Sequence, residues 1–272
     1  MASATTSAPP SGRRTRRTGS HRVTIVRGVA GFAVLFVIAE LISRSGIVSE
    51  TFLPPASLVL LRVAELLVTP SFLAQVGATL YAWAIGLAIC IVVSVTIGVL
   101  LGSSRAAYSG SRAVIEFLRP IPSVALIPLA MLVVGNDAEM KIALIVFSTS
   151  WPVLFNTIYG MNDVDPIAKL TARSFGRGRV ATLLTVSLPS ALPFIFTGIR
   201  IAASVALIVA ISAELLAGAS AGLGRWMLDA GSTGNRPDLV FAATIIAGLL
   251  GLLINWVLQL VERRFLGWQP AL

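Results

Sequence analysis

Histidine and cysteine are almost missing from this chain, with His21 and Cys90 the single example of each. One thiol inside an apolar run excludes a disulfide framework and a thiolate metal site. One histidine near the N-terminus removes the common zinc and general-base constellations, so enzyme chemistry has little to stand on. No G-x-x-x-x-G-K-S/T phosphate loop occurs, and the chain has no ATP site of that kind. Charge is equally scarce. Only 12% of the 272 residues are charged, against 56% hydrophobic, and the mean hydropathy is +0.88. That is too little polar surface to cover a water-soluble globule, and it predicts a membrane protein.

The net charge of +9 would suit nucleic acid, but its distribution does not. Six of the 21 Lys and Arg residues fall in the first 27 positions, and most others flank apolar runs. This is the pattern of membrane anchoring, and no nucleic-acid partner is expected. The opening "MASATTSAPPSGRRTRRTGSHR" has too few apolar residues to offset its ordering entropy, so residues 1–22 are expected to be a disordered basic tail. The apolar run after it is a full span long and lacks a small-residue cleavage site, which predicts a retained helix rather than a signal peptide.

Apolar stretches at 24–43, 77–102, 120–135, 140–160, 190–217 and 239–261 predict six transmembrane helices. The third is short and opens on Arg119, Pro120 and Pro122. With the N-terminus inside, the tail, 103–119, 161–187 and the C-terminus carry fifteen Lys and Arg; the other side carries five, Arg44, Arg62, Lys141, Arg225 and Arg236. The excess puts both termini in the cytoplasm. No internal duplication is visible, which weakens a secondary-transporter reading based on inverted repeats.

Between two of the greasiest regions lies "VDPIAKLTARSFGRGRVATLLTVSLP", residues 164–189. Asp165 and Pro166 supply a helix cap and first helical residue. Ile167, Leu170 and Phe175 fall broadly on one face, with Lys169 and Arg173 elsewhere, and Gly176 is the cheapest place for a left-handed stop. The pattern predicts a short amphipathic helix, lying on anionic headgroups or docking on a partner. A second stretch, 180–186, runs into Pro189.

Ala172-Arg173-x-x-Gly176, followed by Leu188-Pro189 and Pro193, resembles the EAA loop of ABC importer permeases. "LRPIPSVALIPLAMLVVG" (118–135), "WPVLFNTIYGM" (151–161), "LPSALPFIFTGIRIA" (188–202) and "AELLAGASAGLG" (213–224) extend the resemblance over about residues 70–266. Together they are similar to the permeases of the nitrate, sulfonate, taurine and bicarbonate group. The resemblance implies an all-α membrane protein of type I ABC importer permease architecture, in a bacterial inner membrane. It divides the chain into the tail 1–22, a first helix and external connection 23–70, a permease core 71–266 containing a coupling helix at 164–178, and a tail 267–272. It implies a second copy of the chain, a pair of cytosolic ATPases that bind ATP and Mg, and an extracytoplasmic solute-binding protein; this chain itself holds no cofactor.

The residues implied in ATPase coupling are Leu170, Thr171, Ala172, Arg173, Ser174, Phe175, Gly176, Arg177, Leu188 and Pro189. Where the family pattern begins Glu-Ala-Ala, this chain has Leu170-Thr171-Ala172, so docking must rest more on Phe175, Gly176 and the arginines. Candidates for the translocation path are Ser148, Thr149, Asn156, Arg200, Ser204 and Glu214. Each has a structural reading beside the functional one. Ser148, Thr149 and Ser150 suit helix packing as well as a path. Arg200 suits snorkelling or helix pairing as well as an anionic solute. Glu214 is expected at the wet outer end of the fifth span, as a gate, as a contact for the delivery protein, or simply facing water. Trp151-Pro152 and Pro120, Pro122 and Pro128 predict bends. The competing class is an ion-coupled secondary transporter, which would carry paired ionisable groups in mid-membrane; apart from Arg200, few are evident.

Overall fold

A computed structural model describes residues 21–49, 52–135, 138–232 and 235–266. Nearly all of the expected tail and the whole of 267–272 lie outside the described residues. The described residues form helices with no strand among them: α1 (His21–Arg44), α2 (Ala56–Leu67), α3 (Pro70–Ser103), α4 (Arg105–Leu118), a 3-10 turn (Ser123–Leu126) leading into α5 (Ile127–Val134), α6 (Ala138–Asn162), α7 (Pro166–Ser174), α8 (Arg179–Thr182), a π turn (Leu183–Ser187), α9 (Leu188–Ala217), α10 (Leu223–Ser232) and α11 (Pro237–Leu266).

Four stretches are long and apolar enough to cross a bilayer: Pro70–Ser103, Ala138–Asn162, Arg179–Ala217 and Pro237–Phe265. The expected third span is corrected. It is not one helix at 120–135 but a pair, Arg105–Leu118 and Ser123–Val134, bent by 77°. The bend falls at Pro120 and Pro122, where neither ring can donate to a helix ladder; Arg119 still has α-helical backbone, and by Pro122 the chain is extended. The expected loop 103–119 is therefore helix α4, capped by Ser104, whose side chain accepts from the Ala107 amide. The fifth span starts at Arg179 rather than 190, because the π turn widens the helix just ahead of Pro189, easing the clash of its ring with the preceding turn. Two connections also hold helices, α2 and α10.

Helices α3, α6 and α9 form the centre, packed at backbone distance. A methyl group on Gly98 would lie 2.6 Å from the Thr157 Cβ, and one on Gly198 would lie 2.9 Å from the Pro152 carbonyl oxygen. Lipid provides no hydrophobic drive between helices, so such small-residue contacts carry the association by close van der Waals packing. Around this centre, α2, the start of α3, α10 and α11 share a second core of Val59, Val63, Leu66, Phe72, Leu223 and Ala242, with Phe72 and Trp226 edge to face at 4.8 Å. Outward side chains such as Val92, Leu100, Leu252 and Trp256 are exposed and apolar, as a lipid-facing surface requires. Helix α1 packs mainly on α2, tied by Glu40, which accepts from the Ser57 amide at 2.9 Å.

Candidate functional site

Helix α7 is built as its sequence predicts. Asp165 Oδ1 accepts from the Ile167 amide at 2.8 Å, and Pro166 occupies the first turn. At the other end the Gly176 amide donates to the Arg173 carbonyl at 2.9 Å and the Arg177 amide to that of Ala172 at 3.1 Å. This is the Schellman closure, and it needs the left-handed backbone that Gly176 adopts at φ +76°. Helix α7 has no buried residue. Ile167, Leu170 and Phe175 are 69, 61 and 82% exposed, a large apolar face on so short a helix that nothing among the described residues covers. Leu170, standing where the family pattern has Glu, belongs to that face.

The structure separates the coupling candidates. Thr171, Ala172, Ser174 and Arg177 stay on the α7 unit, and Ser174 Oγ turns back to the Leu170 carbonyl. Leu188 instead packs with Met161, Ala191 and Ile195 at the end of α6, and Pro189 follows it in α9. Arg173 turns away from the apolar face, toward Lys169 and Arg179 around a small pocket.

The path candidates are not gathered on one surface. Thr149 is fully buried, its hydroxyl donating to the Ile145 carbonyl, and Asn156 Nδ2 donates to the Pro152 carbonyl at 2.8 Å. Ser148 Oγ is buried without a partner among the described residues. Arg200 and Ser204, one turn apart, do share a groove of about 670 Å³ with Thr244 and Asn255 of α11. Arg200 also pairs with Glu262 near the end of that helix, while its Nε is buried without a partner among the described residues.

Glu214 requires the largest correction. It is not at a wet interface: its side chain is fully buried. Lys141 Nζ lies 3.0 Å from Oε1, Thr79 Oγ1 lies 2.9 Å from Oε2, and the Gly224 amide donates to Oε2 at 2.9 Å. Lys141 also donates to the Ala221 carbonyl, and the Leu223 amide donates to Thr79 Oγ1 at 2.8 Å. The carboxylate thus ties α3, α6 and α9 to the segment 218–224. Gly222, at φ +135°, passes so close that a Cβ there would sit 2.1 Å from the carboxylate, so only glycine fits. Buried polar groups with this many partners hold one arrangement firmly. Sequence reading missed it because Lys141 and Glu214 are 73 positions apart, although the glycines at 222 and 224 were a signal. Beside Arg200 with Glu262, this is a second ionisable pair, but it sits in the first turn of α6 and the last of α9 rather than midway along them.

Near that end, Arg62 of α2 lies 2.8 Å from Asp238 and Arg236 contacts the same carboxylate, bolting α2 to the start of α11. Both guanidiniums are pushed above their ordinary values, Arg62 by its bond to Glu65 and then Asp238, Arg236 by Asp238.

A glycine-packed bundle of long apolar helices, with a short amphipathic helix presented outside it, is the architecture of a multi-pass membrane protein. Residues 94–267 match the family described as binding-protein-dependent transport system inner membrane component. A bicarbonate transport system permease protein, CmpB, of Synechococcus elongatus is 30% identical over 89% of this chain and 85% of its own length. A nitrate import permease protein, NrtB, of Synechocystis sp. is 28% identical over 96% of this chain and 97% of its own. The fold is shared with a chain of the MetNI methionine ABC transporter, in inward-facing conformation, at TM-score 0.63 and 19% identity, covering 71% of this chain and 95% of that one. The chain belongs to the binding-protein-dependent inner-membrane transport family. It is a multi-pass permease subunit of an ABC importer, works with a separate ATPase and a solute-binding protein, and is not itself an enzyme.

Proposed function

We propose that this chain pairs with a second copy of itself in a bacterial inner membrane to form the translocation path for a small anion of the nitrate, sulfonate, taurine or bicarbonate kind. The observation that carries the coupling part of this reading is the apolar face of Ile167, Leu170 and Phe175, exposed on a helix stiffened at both ends. Such a face gains from burial in a cleft of a partner, and the two caps let the helix move as one piece. The names of CmpB and NrtB support an anionic cargo, and Arg200 with Ser204 is the polar pair we assign to the path.

In this scheme α1, the bent pair α4–α5 and the four long helices make six spans. The tail 1–22 and residues 267–272 lie in the cytoplasm, in keeping with fifteen basic residues against five. Residues 23–70 form the first span and its connection, and 71–266 the core with its handle at 164–178. ATP and Mg bind to the ATPase pair. ATP binding closes the ATPases, the two handles move together, and the spans rock to accept solute from the binding protein; hydrolysis resets the inward-facing state.

The test is reconstitution of the chain with its ATPase and binding protein in proteoliposomes. Phe175→Asp and Gly176→Asp are expected to abolish binding-protein-stimulated ATP hydrolysis and co-purification of the ATPase. Undiminished stimulation in both variants, or uptake without any ATPase, overturns the proposal, the latter in favour of an ion-coupled carrier.

A further inference from the structure

Six arginines have a carboxylate beside them: Arg44, Arg62, Arg112, Arg200, Arg225 and Arg236 each form an ion pair. One cluster of cations does not. Behind α7, between it, the end of α3 and the foot of the long helix that starts at Arg179, lies a pocket of about 300 Å³ lined by Lys169, Arg173 and Arg179, with hydroxyls from Ser103, Thr182 and Ser187 and no acidic residue. Among the described residues Lys169 Nζ donates to the Met161 carbonyl, at 3.3 Å, and to no carboxylate, and neither Arg173 nor Arg179 has a carboxylate partner. Asp165, the nearest acid along α7, is engaged in the cap. The Ser103 and Thr182 hydroxyls already donate to the Val99 and Gly178 carbonyls, so the cations do the recognising.

Three like charges around one small cavity repel each other, and a single anion between them turns each repulsion into a charge-assisted hydrogen bond. Guanidinium forks are shaped for phosphate-type oxygens. We infer that this pocket binds a phosphate-type oxyanion, which bridges the coupling helix to the foot of the long helix. The anion is either a soluble one or the phosphodiester of an anionic lipid; basic pockets between helices at the cytoplasmic face suit such headgroups. The inference rests on the cytoplasmic placement proposed above. It does not use the apolar docking face, because the pocket lies on the Lys169–Arg173 side of α7 and that face on the Ile167–Leu170 side.

The test uses the full chain in dodecyl maltoside, freed of lipid, with Phe175 intact. Inorganic phosphate is titrated by calorimetry, and short-chain phosphatidylglycerol is compared with phosphatidylcholine by native mass spectrometry. Wild type is expected to bind inorganic phosphate, which identifies a soluble anion, or phosphatidylglycerol in preference to phosphatidylcholine, which identifies a lipid. Arg173→Gln and Arg179→Gln are each expected to weaken binding roughly tenfold or more, the weight of one charged hydrogen bond. Arg263→Gln/Arg264→Gln, which removes charge outside the pocket, is expected to change nothing. If Arg179→Gln does not fold, Arg173→Gln alone decides, since that exposed side chain lies on a helix with no buried residue. Absence of binding by both probes, or equal loss in the Arg263→Gln/Arg264→Gln chain, overturns the inference. Loss of ATPase co-purification in Phe175→Asp with anion binding retained separates the two readings.

Discussion

Glu214→Gln is the change most able to test whether the buried charge cage holds the segment 218–224. The substitution keeps side-chain volume, so it opens no cavity, but it leaves the Lys141 ammonium, with its side chain 4% exposed, facing a neutral amide. Removing one partner of a buried ion pair costs about 3–5 kcal/mol, chiefly because the other charge stays buried. If that cost falls on the attachment of 218–224, the open fraction of the segment rises roughly a hundredfold at the lower figure. Ala219 is fully buried in this segment and reports the opening. In a Cys90→Ser background, which removes the one native thiol, Ala219→Cys should react with a maleimide at a rate set by the open fraction, provided reclosing is fast. We expect Glu214→Gln to accelerate labelling by about two orders of magnitude. Combined with Lys141→Met, it should show a coupling energy on the order of 1–3 kcal/mol in a double-mutant cycle. A labelling rate unchanged by Glu214→Gln, or additive single effects, would refute the cage as the restraint.

Three further outcomes follow from the same geometry. Asp165→Ala removes the cap of α7 and should cost about 1 kcal/mol of local stability, seen as faster amide exchange over 166–174 and weaker ATPase stimulation; unaltered exchange would contradict it. Gly98→Val drives a branched side chain into Thr157 and should cost about 1–3 kcal/mol, measured as a lower Tm, whereas Gly28→Val, which meets nothing within 4 Å, should leave Tm alone. Asp238→Asn releases Arg62 and Arg236 together; with Arg62 27% and Asp238 10% exposed at the side chain, the loss is about 1 kcal/mol, and limited proteolysis should then cut more readily around α2.

What the sequence made legible was whatever local chemistry decides. The Asp165-Pro166 start and the Gly176 stop of α7 are properties of adjacent residues, and the structure has both. The apolar runs at 77–102, 140–160 and 239–261 became α3, α6 and α11 with ends extended by a few residues, since hydropathy marks a hydrocarbon layer and not the helix that overhangs it. Helix α2 was illegible for the opposite reason. It is only twelve residues long and carries Arg62 and Glu65, and it is held by Val59, Val63 and Leu66 packing with residues of α10 and α11 far along the chain. Gly222 and Gly224 hinted at tight packing, but nothing local told which carboxylate they would enclose. Glu214 read as a surface residue because its partners, Thr79 and Lys141, come from other helices.

The helix that begins at Arg179 runs for 39 residues to Ala217, about 58 Å at 1.5 Å per residue. Its foot stands beside the amphipathic handle, and its head bears the caged carboxylate. In the proposed topology this one helix would reach both faces of the membrane, and a twist applied below would not need relaying from residue to residue through soft contacts. In that scheme the widened turn at Leu183–Ser187 would serve as a universal joint in a driveshaft, the place where the lower end swings while the caged upper end stays fixed.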